Sequence, residues 1–341
     1  MKAVAFEQSL PIDESSALLD VDVPMPVVNG RDLLVKVNAI GVNPVDYKVR
    51  LNMPPQAGDK KILGWDAVGE VIAAGEDVTQ FNQGDVVYYA GDITRGGSNA
   101  EFQLVDERLV GKKPNSLSSL DAAALPLTTI TAWEILFDHF KLKECSPNEQ
   151  SQSNNVILVV GAAGGVGSIL VQLAKVLTGA TVIGTASRES SKQWVKELGA
   201  DHVIDHRQDF AAQLETLGID SVTHVASLNA TGEHFAKYTE VLAPFGQIAM
   251  IDEPTPIDIS LLKMKSLTLH WEFMFARSMH KMDMAYQGQL LDTVAELIDA
   301  GHIKSTRGES FGKISVDTLR RAHRQLEAGT TIGKIVLEGF S

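Results

Sequence analysis

The stretch from Asn155 to Ser168 constrains the fold of this chain more than any other. Val156 to Val160 is an unbroken β-branched and aliphatic run, the pattern of a strand covered on both faces in a parallel sheet. Gly161, Ala162, Ala163, Gly164, Gly165, Val166 and Gly167 then predict a tight turn. From Ser168 the apolar positions Ile169, Leu170, Leu173, Ala174 and Leu177 recur at helical spacing. A turn this poor in side chains, at the positive end of a helix, lets a pyrophosphate approach the backbone amides. It is the dinucleotide fingerprint G-x-G-x-x-G with Ala162 in place of the first glycine, followed in register by Gly164 and Gly167. The structural alternative is a plain tight strand-to-helix turn.

A dinucleotide site for NAD carries an acidic residue about 20 positions further on, at the end of the second strand. Here Thr181 to Thr185 is followed by Ala186, Ser187 and Arg188, with no carboxylate. Ser187 and Arg188 offer donors and a positive charge, which favour a ribose 2′-phosphate and predict NADP(H) as cofactor. Lys192 and the His206-Arg207 pair are candidates for the same phosphate pocket, or else solvated surface groups.

The alternation continues downstream. Strands are predicted at 156–160, 181–185, 202–204, 222–226 and 247–251, and helices at 166–177, 190–198, 208–217 and 232–240, which together make a doubly wound parallel sheet. Residues 1–110 read differently. Short strands at 1–7, 33–39, 67–73, 85–90 and 100–105, separated by turn signals such as Asn29-Gly30 and Asn82-Gln83-Gly84, predict a compact β-rich, barrel-like domain. A helical region starts at Ser119, is interrupted at Pro126 and resumes at Thr131, and the hydrophilic stretch 144–154 reads as a surface loop. Beyond residue 270, helices at 286–300 and 318–328 and strands at 304–308 and 334–338 are expected to return to the first domain, leaving a cleft beside the nucleotide domain. The expected division is 1–125, 126–269 and 270–341.

Composition excludes several classes. A net charge of −13 without a Lys/Arg cluster argues against a nucleic-acid partner. The amino terminus becomes charged too early for a secretory signal and no apolar run approaches membrane-spanning length, so no membrane association and a cytoplasmic enzyme are expected. A single cysteine, Cys145, excludes an internal disulfide and any thiolate-rich metal site.

The ordered set Gly41-Val42-Asn43-Pro44-Val45-Asp46, Gly64-Trp65-Asp66-Ala67-Val68-Gly69, Gly84-Asp85-Val86-Val87, Ala100-Glu101-Phe102, Leu127-Thr128-Thr129-Ile130-Thr131-Ala132-Trp133 and Ala162 to Gly167 resembles the medium-chain dehydrogenase/reductase superfamily. It looks most like the quinone oxidoreductase branch, with its zeta-crystallin-like proteins and the group often labelled zinc-type alcohol dehydrogenase-like. The resemblance runs over nearly the full length. It implies an α/β protein with an N-terminal GroES-like β-rich barrel domain and a doubly wound Rossmann nucleotide-binding domain. It also implies a homodimer through edge strands of the nucleotide domain, where the run Gly246 to Ile251 suits an edge or a central strand.

By the same resemblance Thr131 meets the nicotinamide edge. The aromatic segment His270 to Ser278, with Phe273 and Met274, follows the last nucleotide-domain strand and lines the nicotinamide and substrate cleft, or forms domain-interface core. Lys334 closes over the cofactor from the tail. Leu228 and Ile251 sit at strand ends, where a doubly wound sheet presents its ligand-binding edge.

In the zinc alcohol dehydrogenases a Cys and a His hold the catalytic metal at the places occupied here by Asn43 and Trp65, neither a usual zinc ligand. No metal is therefore expected. Quinones and α,β-unsaturated carbonyls accept hydride at carbon and pass charge to an oxygen that hydrogen bonds can stabilise. Asn43 is the candidate donor to that oxygen, with Asp46, Tyr47 and Lys48 beside it and Tyr47 or Lys48 as proton source. Each has a structural alternative: Asn43-Pro44 as a turn pair, Asp46 as a helix cap, Tyr47 as packing. The Tyr-Pro often found shortly afterwards in this branch is Met53-Pro54, which leaves the proton donor open. The expected activity is zinc-independent, NADPH-dependent reduction of a quinone or enone. Metal-free reduction of aldehydes or ketones and a low-activity, crystallin-like or sensor NADPH-binding protein are the alternatives.

Overall fold

The computed structural model describes residues 1–147 and 153–340. The chain forms two compact units, one of residues 1–130 with 275–341 and one of residues 131–274. Within the hydrophilic stretch 144–154, residues 148–152 lie outside the described residues. No helix among the described residues is long and apolar enough to cross a membrane.

The second unit is built on a six-stranded sheet in the order His202–Ile204, Thr181–Thr185, Val156–Val160, Val222–Ser227, Leu242–Met250, Thr268–Trp271. Every neighbouring pair is parallel. Parallel strands need crossovers, and the helices Gly165–Thr178, Glu189–Glu197, Phe210–Thr216 and Thr231–Val241 supply them. The central strand is buried almost throughout, as its apolar run predicts. Leu158, Val160, Ile183, Phe210, Val225, Phe235, Tyr238 and Ile248 pack into one core cluster.

Two differences from the sequence reading matter. The strand predicted at 247–251 runs over Leu242–Met250, past a register shift opposite Val222 and His224, and has neighbours on both edges. The Gly246 to Ile251 run is therefore interior. The outer position belongs to Thr268–Trp271, so His270 and Trp271 lie in the last strand rather than after it, and Trp271 is exposed. Edge strands lack the two-sided burial that makes a strand legible in sequence, and this one carries no apolar run. Just beyond it, His139 at the end of a π-helical turn (Glu134–His139) meets Glu272 at 2.7 Å.

The first unit is organised on the eleven-residue strand Asp32–Val42. Ala67–Ala74 pairs along one edge, while Phe102–Asp106 and Lys334–Glu338 share the other, all antiparallel. Val86–Tyr89, Val110–Lys112 and Arg307–Lys313 complete a seven-stranded sheet. Leu19–Asp22, Lys2–Phe6 and Lys61–Ile62 form a separate three-stranded sheet, linked to the rest by the bridge between Ala3 and Ala100. No pairing among the described residues closes these strands into a ring. The strand predicted at 304–308 lies at Arg307–Lys313, almost entirely exposed and therefore without the alternation that would locate it.

The helices Pro44–Asn52 and Val316–Glu327 pack on each other around Arg50, which is fully buried. Its guanidinium donates to Glu327 and to the Leu10 carbonyl, and Nε lies 3.3 Å from His323 Nδ1. Burial and Arg50 together push His323 down to about 3, which keeps it neutral. Glu327→Ala leaves a buried guanidinium without a counter-charge and is expected to lower stability by about 3 kcal/mol. Glu7→Ala, which breaks an exposed pair with Lys60, should cost under about 1 kcal/mol. Urea denaturation of both variants is the check, and equal losses would contradict the assignment of Arg50 as a charge held by Glu327.

Candidate active site

Strand register brings the chemistry of the first unit together. Ile335 lies opposite Val42, so Lys334 falls beside Asn43, and Ala67 lies opposite Ile40, so Asp66 falls beside Gly41. The approach is close: a Cβ on Gly41 would stand 2.4 Å from the Ala123 carbonyl oxygen and 3.2 Å from the Asp66 Cβ. Asn43, Asp46, Asp66 and Lys334 are all buried.

The Lys334 ammonium donates to Asn43 Oδ1 and, at 2.8 Å, to Asp66 Oδ2. Asn43 Nδ2 donates to the same Asp66 oxygen at 2.8 Å. Asp66 Oδ1 accepts the Leu127 N–H at 2.7 Å, where the helix Pro126–Trp133 begins. These partners fix the orientation of the Asn43 amide, because the flipped form would set NH2 against an ammonium and C=O against a carboxylate. One of the two Nδ2 hydrogens is taken by Asp66.

Asp46 Oδ2 accepts the Asn43 backbone N–H at 2.6 Å across the start of the helix Pro44–Asn52. Burial pushes the Asp46 carboxyl up to about 7, against the opposing influence of the Asn43 N–H and Lys334. Burial likewise raises Asp66, with Lys334 opposing.

Asp46 is buried and holds the helix start through the Asn43 N–H. Lys334 directs its ammonium into the same cluster. Tyr47 and Lys48 follow on the same helix, both half-buried. Sequence reasoning missed Asp66 as a partner of Asn43, since the two are 23 residues apart and only strand register joins them.

Trp65, at the place matching a zinc-ligating His, is fully buried. It meets Phe275 edge-on at 6.0 Å and donates from Nε1 to the Asp92 carbonyl at 3.3 Å. Among the described residues no group of three or more His, Cys, Asp or Glu is arranged to hold a metal. An engaged amide and an indole do not fit zinc.

In the second unit the fingerprint turn joins Val156–Val160 to the helix Gly165–Thr178. Gly161 has φ +82°, which favours glycine. A Cβ on Gly167 would stand 2.4 Å from the Gly161 oxygen and 2.5 Å from the Ala162 Cα, whereas the nearest atom to one on Gly164 is 3.4 Å away. Gly167 is required by packing; Gly164 is open on its side-chain side, as a pyrophosphate cradle requires. Ala162 replaces the usual glycine because Gly184 on the neighbouring strand leaves room for its methyl; the Ala162 Cβ would lie 3.0 Å from a Cβ there.

Ser187 and Arg188 follow the strand Thr181–Thr185, and the Ser187 carbonyl accepts from Arg207 Nη2 at 3.2 Å. Arg207 forks onto Asp205 and holds that carboxyl at about 2, so the acidic group near this corner is already paired. Lys192 and His206 are half-buried, and the His206 ring lies 6.2 Å from that of His234. Gly165 and Val166 open the helix. Leu228 donates its N–H to the Val160 carbonyl beside the turn, and Ile251 follows directly on Leu242–Met250. Thr131 is buried in the helix Pro126–Trp133, Met274 is buried and Phe273 is half-exposed.

A β-rich unit with a buried polar cluster and a doubly wound unit with a dinucleotide turn together define a nicotinamide-dependent oxidoreductase architecture. Residues 29–115 match the alcohol dehydrogenase GroES-like domain and residues 198–337 the zinc-binding dehydrogenase family. A zinc-type alcohol dehydrogenase-like protein of Staphylococcus aureus (strain MSSA476) is 40% identical over 341 residues, covering 99% of each chain. A solved structure from Rhizobium etli CFN 42, assigned to the zinc-dependent alcohol dehydrogenases, superposes with a TM-score of 0.95 at 47% identity, covering 100% of this chain and 98% of the other. The quinone oxidoreductase of Coxiella burnetii superposes with a TM-score of 0.78 at 28% identity, covering 99% of each. The chain belongs to the medium-chain dehydrogenase/reductase superfamily.

Asp46 is raised in the folded state from an ordinary 3.8 to about 7. Between these values the native protein holds a proton that the unfolded chain releases, so this group's contribution to stability falls as pH rises and is fully lost above about 7. Asp46→Asn should therefore gain on the wild type from pH 4 to pH 8, by a few kcal/mol in all. Urea denaturation across that range is the check, and a pH-independent difference would refute the assignment. For the turn, Gly164→Ala should fold with unchanged melting temperature and lose affinity for the nicotinamide cofactor, whereas Gly167→Ala should lose stability as well. Thermal melting with fluorescence titration of the reduced nicotinamide dinucleotides separates the two; equal melting losses would contradict the open side of Gly164.

Proposed function

We propose that this chain is a zinc-independent, NADPH-dependent oxidoreductase that transfers hydride to a quinone or an α,β-unsaturated carbonyl. The observation that carries the reading is the state of the two positions matching zinc ligands: the Asn43 amide is bound to Lys334 and Asp66, and Trp65 is core. Residues that do not fit zinc leave an acceptor oxygen to hydrogen bonds, which suffice when charge is delocalised in the acceptor itself. The likeness to a quinone oxidoreductase agrees with this substrate class.

Bound NADPH supplies the hydride. Gly164, Gly165, Val166 and Gly167 at the helix start hold its pyrophosphate, and Ser187, Arg188, Arg207, Lys192 and His206 favour the 2′-phosphate. Thr131, Leu228, Ile251, Phe273 and Met274 border the nicotinamide. Asn43 donates its remaining amide hydrogen to the acceptor oxygen, and Tyr47 or Lys48 delivers the proton directly or through water. The same reading makes the protein a cytoplasmic homodimer, pairing through the edge strand Thr268–Trp271.

The test is anaerobic NADPH oxidation by chelator-treated protein with a benzoquinone, a linear enone and a simple aldehyde. Turnover of the quinone or enone after chelation is expected. Aldehyde turnover restored only by added zinc would overturn the reading, and inactivity with all three would favour a cofactor-binding role.

A further inference from the structure

We infer that the buried Lys334 ammonium is the resident cation of this site and that, with Asp66, it orients the Asn43 amide for the acceptor oxygen, a positioning role that rests on the reductase reading above. The disagreement between the zinc-bearing family names and the residues present is the starting point. The place of a metal-binding thiolate is taken by an amide, and the positive charge beside that amide comes from the far end of the chain, 291 residues away.

The geometry is specific. Lys334 leaves its strand beside Asn43 because Ile335 pairs with Val42, and its ammonium touches both the amide oxygen and the carboxylate that holds the amide nitrogen. Three groups thus close a ring in which every donor faces an acceptor. Asp66 precedes the strand Ala67–Ala74, and Asp46 lies on the helix Pro44–Asn52. Arg50 on that helix is turned to Glu327 and His323 of Val316–Glu327, and the helix Pro126–Trp133 contributes the Leu127 N–H.

Without the ammonium, Asp66 loses the partner that opposes the effect of its burial, so its carboxyl moves toward the protonated form. A protonated Asp66 is a donor as well as an acceptor, so both orientations of the Asn43 amide become satisfiable. The acceptor oxygen then loses its fixed donor, while the dinucleotide turn of the other unit keeps its structure.

The experiment compares Lys334→Met and Lys334→Met/Asp66→Asn with the wild type. It reads kcat for the preferred quinone or enone across pH 5–9, NADPH affinity by fluorescence, and bound zinc by elemental analysis after dialysis against zinc. Both variants are expected to lose about 100-fold in kcat, as for a misplaced reacting group, with NADPH affinity within about twofold of wild type. Because Lys334 holds Asp46 down, Lys334→Met should move the Asp46 titration, and with it any kcat inflection that follows that group, to higher pH. The double variant removes opposite charges together and keeps the test alive if the single one fails to fold. A kcat within about twofold of wild type in either folded variant, or one zinc retained per wild-type chain, would overturn the inference. If the wild type reduces none of the acceptors, the reductase reading fails by itself. The cation's part is then decided by stability against pH, where Lys334→Met should shift the Asp46 transition upward and an unmoved transition overturns it.

Discussion

An ammonium taken out of water must find anionic and polar partners or shed its charge. Lys334 meets this demand with Asp66 and Asn43, and much of the first unit is arranged around the answer. The last strand has to run antiparallel to Asp32–Val42 in the one register that puts Lys334 beside Asn43. Gly41 has to lack a side chain so that the Asp66 segment can approach. The two carboxylates also anchor helix starts, Asp66 through Leu127 and Asp46 through Asn43. One ionic cluster therefore ties three strands to two helices.

The second unit is governed by steric closeness instead. The helix Gly165–Thr178 passes so near the turn at Gly161 and Ala162 that Gly167 admits no side chain, while Gly164 is open. That asymmetry separates a glycine needed by the fold from one that the fold leaves open. The departure of Ala162 from the fingerprint is harmless for a local reason, since its methyl lies toward Gly184. A family named for zinc-binding dehydrogenases thus includes a chain whose metal positions hold an amide and a core indole, and whose dinucleotide turn keeps its form.

Much of this was legible in advance because its causes are local. The parallel sheet announces itself through two-sided burial, and Val156–Val160 and Lys334–Glu338 fall where their apolar runs predict. Thr268–Trp271, an edge strand with an exposed Trp271, escaped detection, and the strand expected at 304–308 lies at Arg307–Lys313, buried only at Phe311. Their positions come from hydrogen-bonded partners, which a pattern of side chains does not record.

The sequence by itself determined the dinucleotide turn, the absence of a carboxylate after the second strand, the lack of zinc-ligating residues at Asn43 and Trp65, and the family. All of these are properties of residue type at short spacing. Only the tertiary structure decided that Lys334 serves Asn43, that Asp66 is their common partner, and that Asp46 is buried with a carboxyl that titrates near neutrality. The reason is physical: charge balance and desolvation belong to groups brought together by strand register across most of the chain, and no local pattern encodes who meets whom.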